Sequence, residues 1–238
     1  MEKKNNQTLI ILITGTSRGI GKYIAEYYCS LNYTVIGCSR TESTITHDDY
    51  SHFVVDVGKE QELIEMFKSI RQHFKRVDVL INNAAINPAI ISGALVPYTT
   101  VEKVFKVNVF APMFCCREAV KLMLRNKFGR IINIGSMAAK HEVPGEGLYT
   151  STKAAMNAYT RVLAKEVGKM GITVNVLAPA AIRTELSSKI NQTALAEVLS
   201  RNAINDYGDF EDITNSLDFL IKKESKHVTG QIIYLGGA

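Results

Sequence analysis

Short apolar runs recur along this chain, separated by stretches in which apolar positions return with a helical period. Residues 9–14 (L-I-I-L-I-T) are apolar on both faces, as a central strand of a parallel sheet must be. Residues 34–38, 53–57, 77–81, 130–135, 172–177 and 231–235 carry the same signal and predict six more strands. Between them, residues 22–31 put Ile24, Ala25 and Tyr28 on one face. Residues 60–74 do the same with Leu63, Ile64, Phe67 and Ile70. Thr99-Thr100-Val101-Glu102 has capping-box character, and a long helix is predicted from there to about residue 126. A loop from Ser136 to Tyr149 precedes a helix to about residue 170, and residues 185–202 and 209–221 also read as helical. Regular alternation without linker or repeat predicts one α/β domain over residues 1–238. It is a Rossmann-type, doubly wound domain with a mainly parallel seven-stranded sheet flanked by helices.

Composition narrows this only a little. With 238 residues, 46% of them apolar, the chain can bury a large core. Its 28 basic and 23 acidic side chains leave +5, spread without a block of like charge. That permits an acidic partner and gives no reason to expect nucleic acid. Cys29, Cys38, Cys115 and Cys116 lack zinc-site spacing and the histidines are scattered, so no metal is expected and the thiols read as free and buried. No apolar run approaches the roughly 20 residues of a membrane span, and residues 9–13 are too short for a signal sequence. A cytoplasmic location without membrane contact is the expectation.

Candidate chemistry gathers at the ends of the predicted strands. Gly15-Thr16-Ser17-Arg18-Gly19-Ile20-Gly21 lies between the first strand and the first helix. In that context, glycines let the backbone approach a dinucleotide pyrophosphate at a helix N-terminus. Arg40 stands where an acid would meet a ribose 2′-hydroxyl; an arginine there suits a 2′-phosphate, with a solvated surface cation as the other reading. Asp56, at the third strand's end, is placed either to accept from an adenine amine or to cap a helix. Asn82 and Asn83 can brace neighbouring loops, and Asn108 among apolar neighbours predicts a local bend holding a water. Ser136 ends the fifth strand, and Tyr149 and Lys153, four residues apart on a helix, share a face. A cation beside a tyrosine would lower its pKa from about 10, making the phenol a usable acid or base for a carbonyl–alcohol pair.

With these pieces assembled, the chain resembles the short-chain dehydrogenase/reductase family from residue 14 to residue 237. The resemblance is carried by T-G-T-S-R-G-I-G, Asn82-Asn83-Ala84, Asn108 and the Ser136, Tyr149, Lys153 spacing. It implies a catalytic tetrad. Tyr149 exchanges the proton, Lys153 tunes it and holds the nicotinamide ribose, Ser136 fixes the carbonyl oxygen and Asn108 holds a relay water. It also implies an NADP(H) site from Gly15, Ser17, Arg18, Gly19, Ile20, Gly21, Arg40, Asp56, Val57, Asn83, Ala84, Tyr149, Lys153, Ile182 and Thr184, under a substrate lid at residues 183–208. Within the family, F-G-R-I-I-N-I-G-S and the tail V-T-G-Q-I-I-Y-L-G-G are similar to 3-oxoacyl-acyl-carrier-protein reductases. That likeness implies reduction of a 3-oxoacyl thioester on an acyl carrier protein docked near Arg125, Lys127 and Lys169. It also implies a homotetramer assembled through residues 150–170, 209–221 and 231–235. Two other readings stand beside it: a reductase of another ketone, sugar or steroid, and a catalytically silent NADP-binding regulator. Ala85 and Ala180 replace glycines of the family pattern, beside the expected cofactor.

Overall fold

The seven apolar runs meet in one sheet. A computed structural model describes residues 8–88, 91–182 and 199–237. Among them, β1 (Ile10–Thr14), β2 (Thr34–Ser39), β3 (Tyr50–Val54), β4 (Val79–Asn82), β5 (Gly129–Ile134), β6 (Ile172–Ala178) and β7 (Ile232–Tyr234) pair in parallel, in the order β3-β2-β1-β4-β5-β6-β7. The order reverses between β1 and β4, and a crevice opens at such a switch beyond the carboxyl ends of the strands. Gly15, Arg40, Asn83 and Ser136 follow the carboxyl ends of β1, β2, β4 and β5.

Two predicted strands shift. The third run forms a strand at Tyr50–Val54, not at residues 53–57, because Tyr50 pairs with Val35 and brings Val54 opposite Ser39. Asp56 and Val57 are thereby left beyond the strand, in the turn before α2. The fourth strand starts at Val79 rather than residue 77, since Asp78 spends both its backbone N–H and its carboxylate on Ile10.

The helices α1 (Gly19–Ser30), α2 (Glu60–His73), α3 (Tyr98–Phe105), α4 (Ala111–Met123), α5 (Ala138–His141), α6 (Gly147–Val167) and α7 (Phe210–Ile221) cover the two faces. Ile24, Ala25 and Tyr28 of α1 are buried as their period requires, and Tyr27 and Tyr28 both donate to Asp218 of α7. On α2, Met66 rather than Ile64 completes the inward stripe with Leu63, Phe67 and Ile70; Ile64 is 42% exposed. The long helix predicted from residue 99 is not continuous. It starts behind Pro97 without a side-chain cap, so the expected capping box does not form, and it is broken by a π turn at Lys106–Phe110. A capping box does form at α7, between Asp209 and Asp212. All four cysteines are free and buried, and none of the described helices is long and apolar enough to cross a membrane.

Candidate active site

The crevice floor is built by strand ends whose side chains tie the loops together. After β1, Gly15 takes φ +80°, and its N–H donates to the Cys38 carbonyl at 2.7 Å. Asn83 then braces the turn from β4: its amide donates to the carbonyls of Thr14 (2.8 Å) and Gly15 (3.2 Å). The Thr14 hydroxyl accepts from the N–H groups of Asn83 and Ala84, both at 3.0 Å. Gly21 must lack a side chain, since a Cβ there would sit 2.2 Å from the Gly15 carbonyl oxygen. The loop-bracing role foreseen for the paired asparagines belongs to Asn83. Asn82 instead donates to Asn133 in the core, which donates in turn to Thr160 of α6.

This turn fits a dinucleotide on its own geometry. The first turn of α1 has no acidic residue and Arg18, its N-cap, makes no capping bond, so the amides of an uncapped helix start lie beside Ser17 and Ile20. A Cβ built on Gly19 would meet nothing within 4 Å, so the space above the turn is open. Arg40 is exposed immediately after β2, and Asp56 beyond β3 holds its Oδ1 on the Gly58 N–H at 2.9 Å. Asp56 does not cap α2, whose N-cap is Lys59. Val57 and Ile182 are buried, Ile182 bridging in parallel to Gly208. Thr184 and most of the predicted lid, residues 183–198, lie outside the described residues. Ala85 and Ala180 do not have positive φ, so neither replacement strains the backbone.

The reactive groups stand on the other side of the crevice. Gly147 opens α6, so Tyr149 sits in the first helical turn rather than in the loop, and α5 fills part of that expected loop. Ser136 follows β5 with its hydroxyl accepting from the Ala138 N–H at 3.1 Å, which points it into the same space. Lys153 is buried at 6% exposure, donates to the Ile134 carbonyl at 2.8 Å and lies 5.6 Å from the centre of the Tyr149 ring. Tyr149, Lys153 and Ser136 are thus brought together as predicted.

Their electrostatics differ from the expectation. In the chain alone, burial raises the Tyr149 phenol to about 12; the Ser136 hydroxyl opposes that shift and the Glu146 carboxylate adds to it. Burial lowers Lys153 to about 8. The expected lowering of the phenol by the ammonium is not found: burial of the phenol outweighs what opposes it. Burial likewise raises Glu146, with His141 opposing.

Asn108 occupies the π turn, where the helix widens by one residue. Its Oδ1 accepts from the Ile86 N–H (2.9 Å), and its Nδ2 donates to the Ile86 carbonyl (2.8 Å) and to Thr152 (3.2 Å). Where a bend was expected the helix carries this π turn, and the side chain serves to clamp the β4 loop. Thr152 completes the clamp by donating to the Tyr149 carbonyl at 2.7 Å. Thr152 is marked by no sequence pattern beyond its closeness to Tyr149 and Lys153, and Thr14 only by opening the T-G-T-S-R-G-I-G run. At the rim, His141 pairs with Asn202 at 2.8 Å.

Comparison with known proteins agrees with this fold. A family model described as short chain dehydrogenase matches residues 9–195. The 3-oxoacyl-acyl-carrier-protein reductase FabG of Haemophilus influenzae is 30% identical, over 97% of this chain and 98% of its own. Its namesake in Rickettsia bellii is 32% identical over 95% and 94%. Among solved structures, ElxO with NADP bound superposes with a TM-score of 0.87 at 28% identity, covering 96% of this chain and 97% of its own. 4-Hydroxyisoleucine dehydrogenase complexed with NADH gives 0.87 at 27%, over 97% and 98%.

Proposed function

The chain belongs to the short-chain dehydrogenase family, and on that premise we propose that it reduces a 3-oxoacyl thioester to the 3-hydroxyacyl form with NADPH. The observation that carries the chemistry is the convergence of Ser136, Tyr149 and buried Lys153 across the crevice from the glycine turn. The NADP(H) site is assigned to the Gly15–Gly21 turn, Arg40, Asp56, Asn83 and the Lys153 side. One neighbour holds NADP and another NADH, so the cofactor form rests on Arg40, whose cation suits a 2′-phosphate. When bound, the nicotinamide supplies the hydride.

The chain's own residues do the rest. Ser136 donates to the substrate carbonyl oxygen and fixes its position. Tyr149 holds its proton firmly, as a phenol at about 12 does, and delivers it to the oxygen as negative charge develops there. Lys153, within reach of its protonated form near neutral pH, makes that developing charge less costly. Asn108 and Thr152 hold the Tyr149 turn and the β4 loop in register. A relay water at Asn108 remains part of the proposal.

Identity of the substrate rests on the curated relatives, which are acyl-carrier-protein reductases by name. Docking residues do not line the cleft as expected. Lys127 precedes β5 and Lys169 precedes β6, at the opposite edge of the sheet from Ser136, about 20 Å away at roughly 3.3 Å per residue. A second reading, reduction of a small polar ketone, is favoured by the rim, where His141, Asn202 and half-buried Glu146 gather beside Tyr149. Turnover of acetoacetyl thioesters, carrier-bound and free, against small hydroxy-acid and ketone substrates separates the two. A preference for the thioesters supports the first reading; turnover of free ketones alone replaces it with the second.

We place the enzyme in the cytoplasm as a homotetramer. The exposed apolar side chains Phe110, Met113 and Val162 support pairing through α4 and α6. Of these, only α6 was among the surfaces anticipated from sequence.

A further inference from the structure

Beneath the segment assigned to the cofactor's 2′ position runs a hydrogen-bonded chain that the catalytic reading does not use. Tyr50 and His52 alternate on β3 and project from one face of it, with ring centres 5.9 Å apart. The Tyr50 hydroxyl lies 2.9 Å from the Thr16 hydroxyl in the glycine turn and 2.8 Å from Nδ1 of His52. Nε2 of His52 lies 3.0 Å from the Thr41 carbonyl and 3.2 Å from the Ser39 hydroxyl, which itself donates to Thr41 at 2.7 Å. The chain therefore connects the pyrophosphate turn to both residues flanking Arg40.

Its polarity follows from the partners. A carbonyl only accepts, so Nε2 carries the imidazole proton. Nδ1 is then the acceptor that faces the Tyr50 hydroxyl, whose oxygen also lies within hydrogen-bond reach of the Thr16 hydroxyl. The backbone is shaped to admit this contact. Gly37 of β2 pairs with His52, and a Cβ there would lie 2.2 Å from the Tyr50 oxygen and 2.6 Å from that of Thr16. Thr16 is fully buried, so its hydroxyl has no water to turn to.

We propose that His52 is a positioning residue for cofactor choice. By holding Ser39 and Thr41 it fixes the backbone that carries Arg40, and so sets the discrimination between NADPH and NADH. The pyrophosphate turn has separate anchors in Cys38 and Asn83, so loss of His52 should weaken the 2′ end selectively. The proposal rests on the assignment of Arg40 to the 2′-phosphate.

The test is calorimetric titration of the apo protein with NADPH and with NADH, independent of turnover. For His52→Leu, the NADPH Kd should rise about tenfold while that for NADH changes less than about twofold. His52→Gln keeps a donor towards Thr41 and should retain most of the discrimination. Equal losses for both nucleotides, or no loss, in a variant that melts as a folded protein would overturn the proposal. Arg40→Asp in the same titration keeps the two assignments apart. If Arg40→Asp loses discrimination and His52→Leu does not, the positioning role is wrong; if neither does, the 2′ assignment fails as well.

Discussion

At the residue scale, the account turns on half-buried Tyr149 and buried Lys153, which carry opposite burdens. Tyr149 is raised to about 12 and Lys153 is lowered to about 8, both chiefly by burial. Tyr149→Phe removes the proton and little volume. It should lower kcat by about a hundred- to ten-thousandfold and leave NADPH affinity within about twofold; single-turnover kinetics with a parallel binding titration checks both. Lys153 sets a pH limb. Its charge is lost as pH rises through about 8, so the reduction rate should fall above that value and hold steady below it. A profile flat to pH 10 would remove Lys153 from the chemistry. Linkage gives a companion sign. Between about 8 and the ordinary lysine value of 10.5, the unfolded chain binds the extra proton, so Lys153 adds stability as pH rises through that window. Below it, the buried cation costs stability. Lys153→Met should therefore melt no lower than wild type at pH 7 while losing activity, as a thermal melt of the apo protein would show.

At the element scale, the π turn at Lys106–Phe110 matters most. It puts Asn108 where one side chain satisfies both backbone groups of Ile86. Asn108→Ala leaves those groups unpaired at about 1–3 kcal/mol, equivalent to about 3–10 °C in Tm. Activity should fall with it, because Thr152 and the Tyr149 turn lose their register. A variant that melts like wild type would contradict the clamp. This element also shows what the sequence could and could not tell. The apolar runs fixed strand number and order of appearance because parallel strands must be apolar on both faces. The lone asparagine among Val104, Val107 and Val109 announced a bend. Nothing in the sequence distinguished a π turn from another irregularity, since the extra residue is defined by which carbonyl is reached rather than by residue type. For the same reason apolarity alone points to residues 53–57 for β3, whereas pairing with β2 begins three residues earlier, at Tyr50. The catalytic spacing was legible because it lies on a single helix. The phenol's environment was not, because it depends on how far the fold takes Tyr149 out of water and on Ser136 and Glu146 brought beside it.

At the scale of the whole molecule, the switch in strand order between β1 and β4 places the glycine turn, Arg40 and the Tyr149–Lys153 pair around one crevice. Phe110 of the π turn, Met113 of α4 and Val162 of α6 are exposed apolar side chains. Sedimentation should find a tetramer, and Phe110→Glu should shift it to smaller species without loss of the sheet; a wild-type monomer would remove the assembly from the account. The most direct measurement follows NADPH absorbance in a single turnover with a 3-oxoacyl thioester, for wild type and Tyr149→Phe at saturating cofactor. The account predicts oxidation of one NADPH per thioester reduced by the wild type and near-arrest in the variant. Tyr149→Phe turning over as fast as the wild type, or bound NADPH left unoxidised by every carbonyl offered to the wild type, would contradict it.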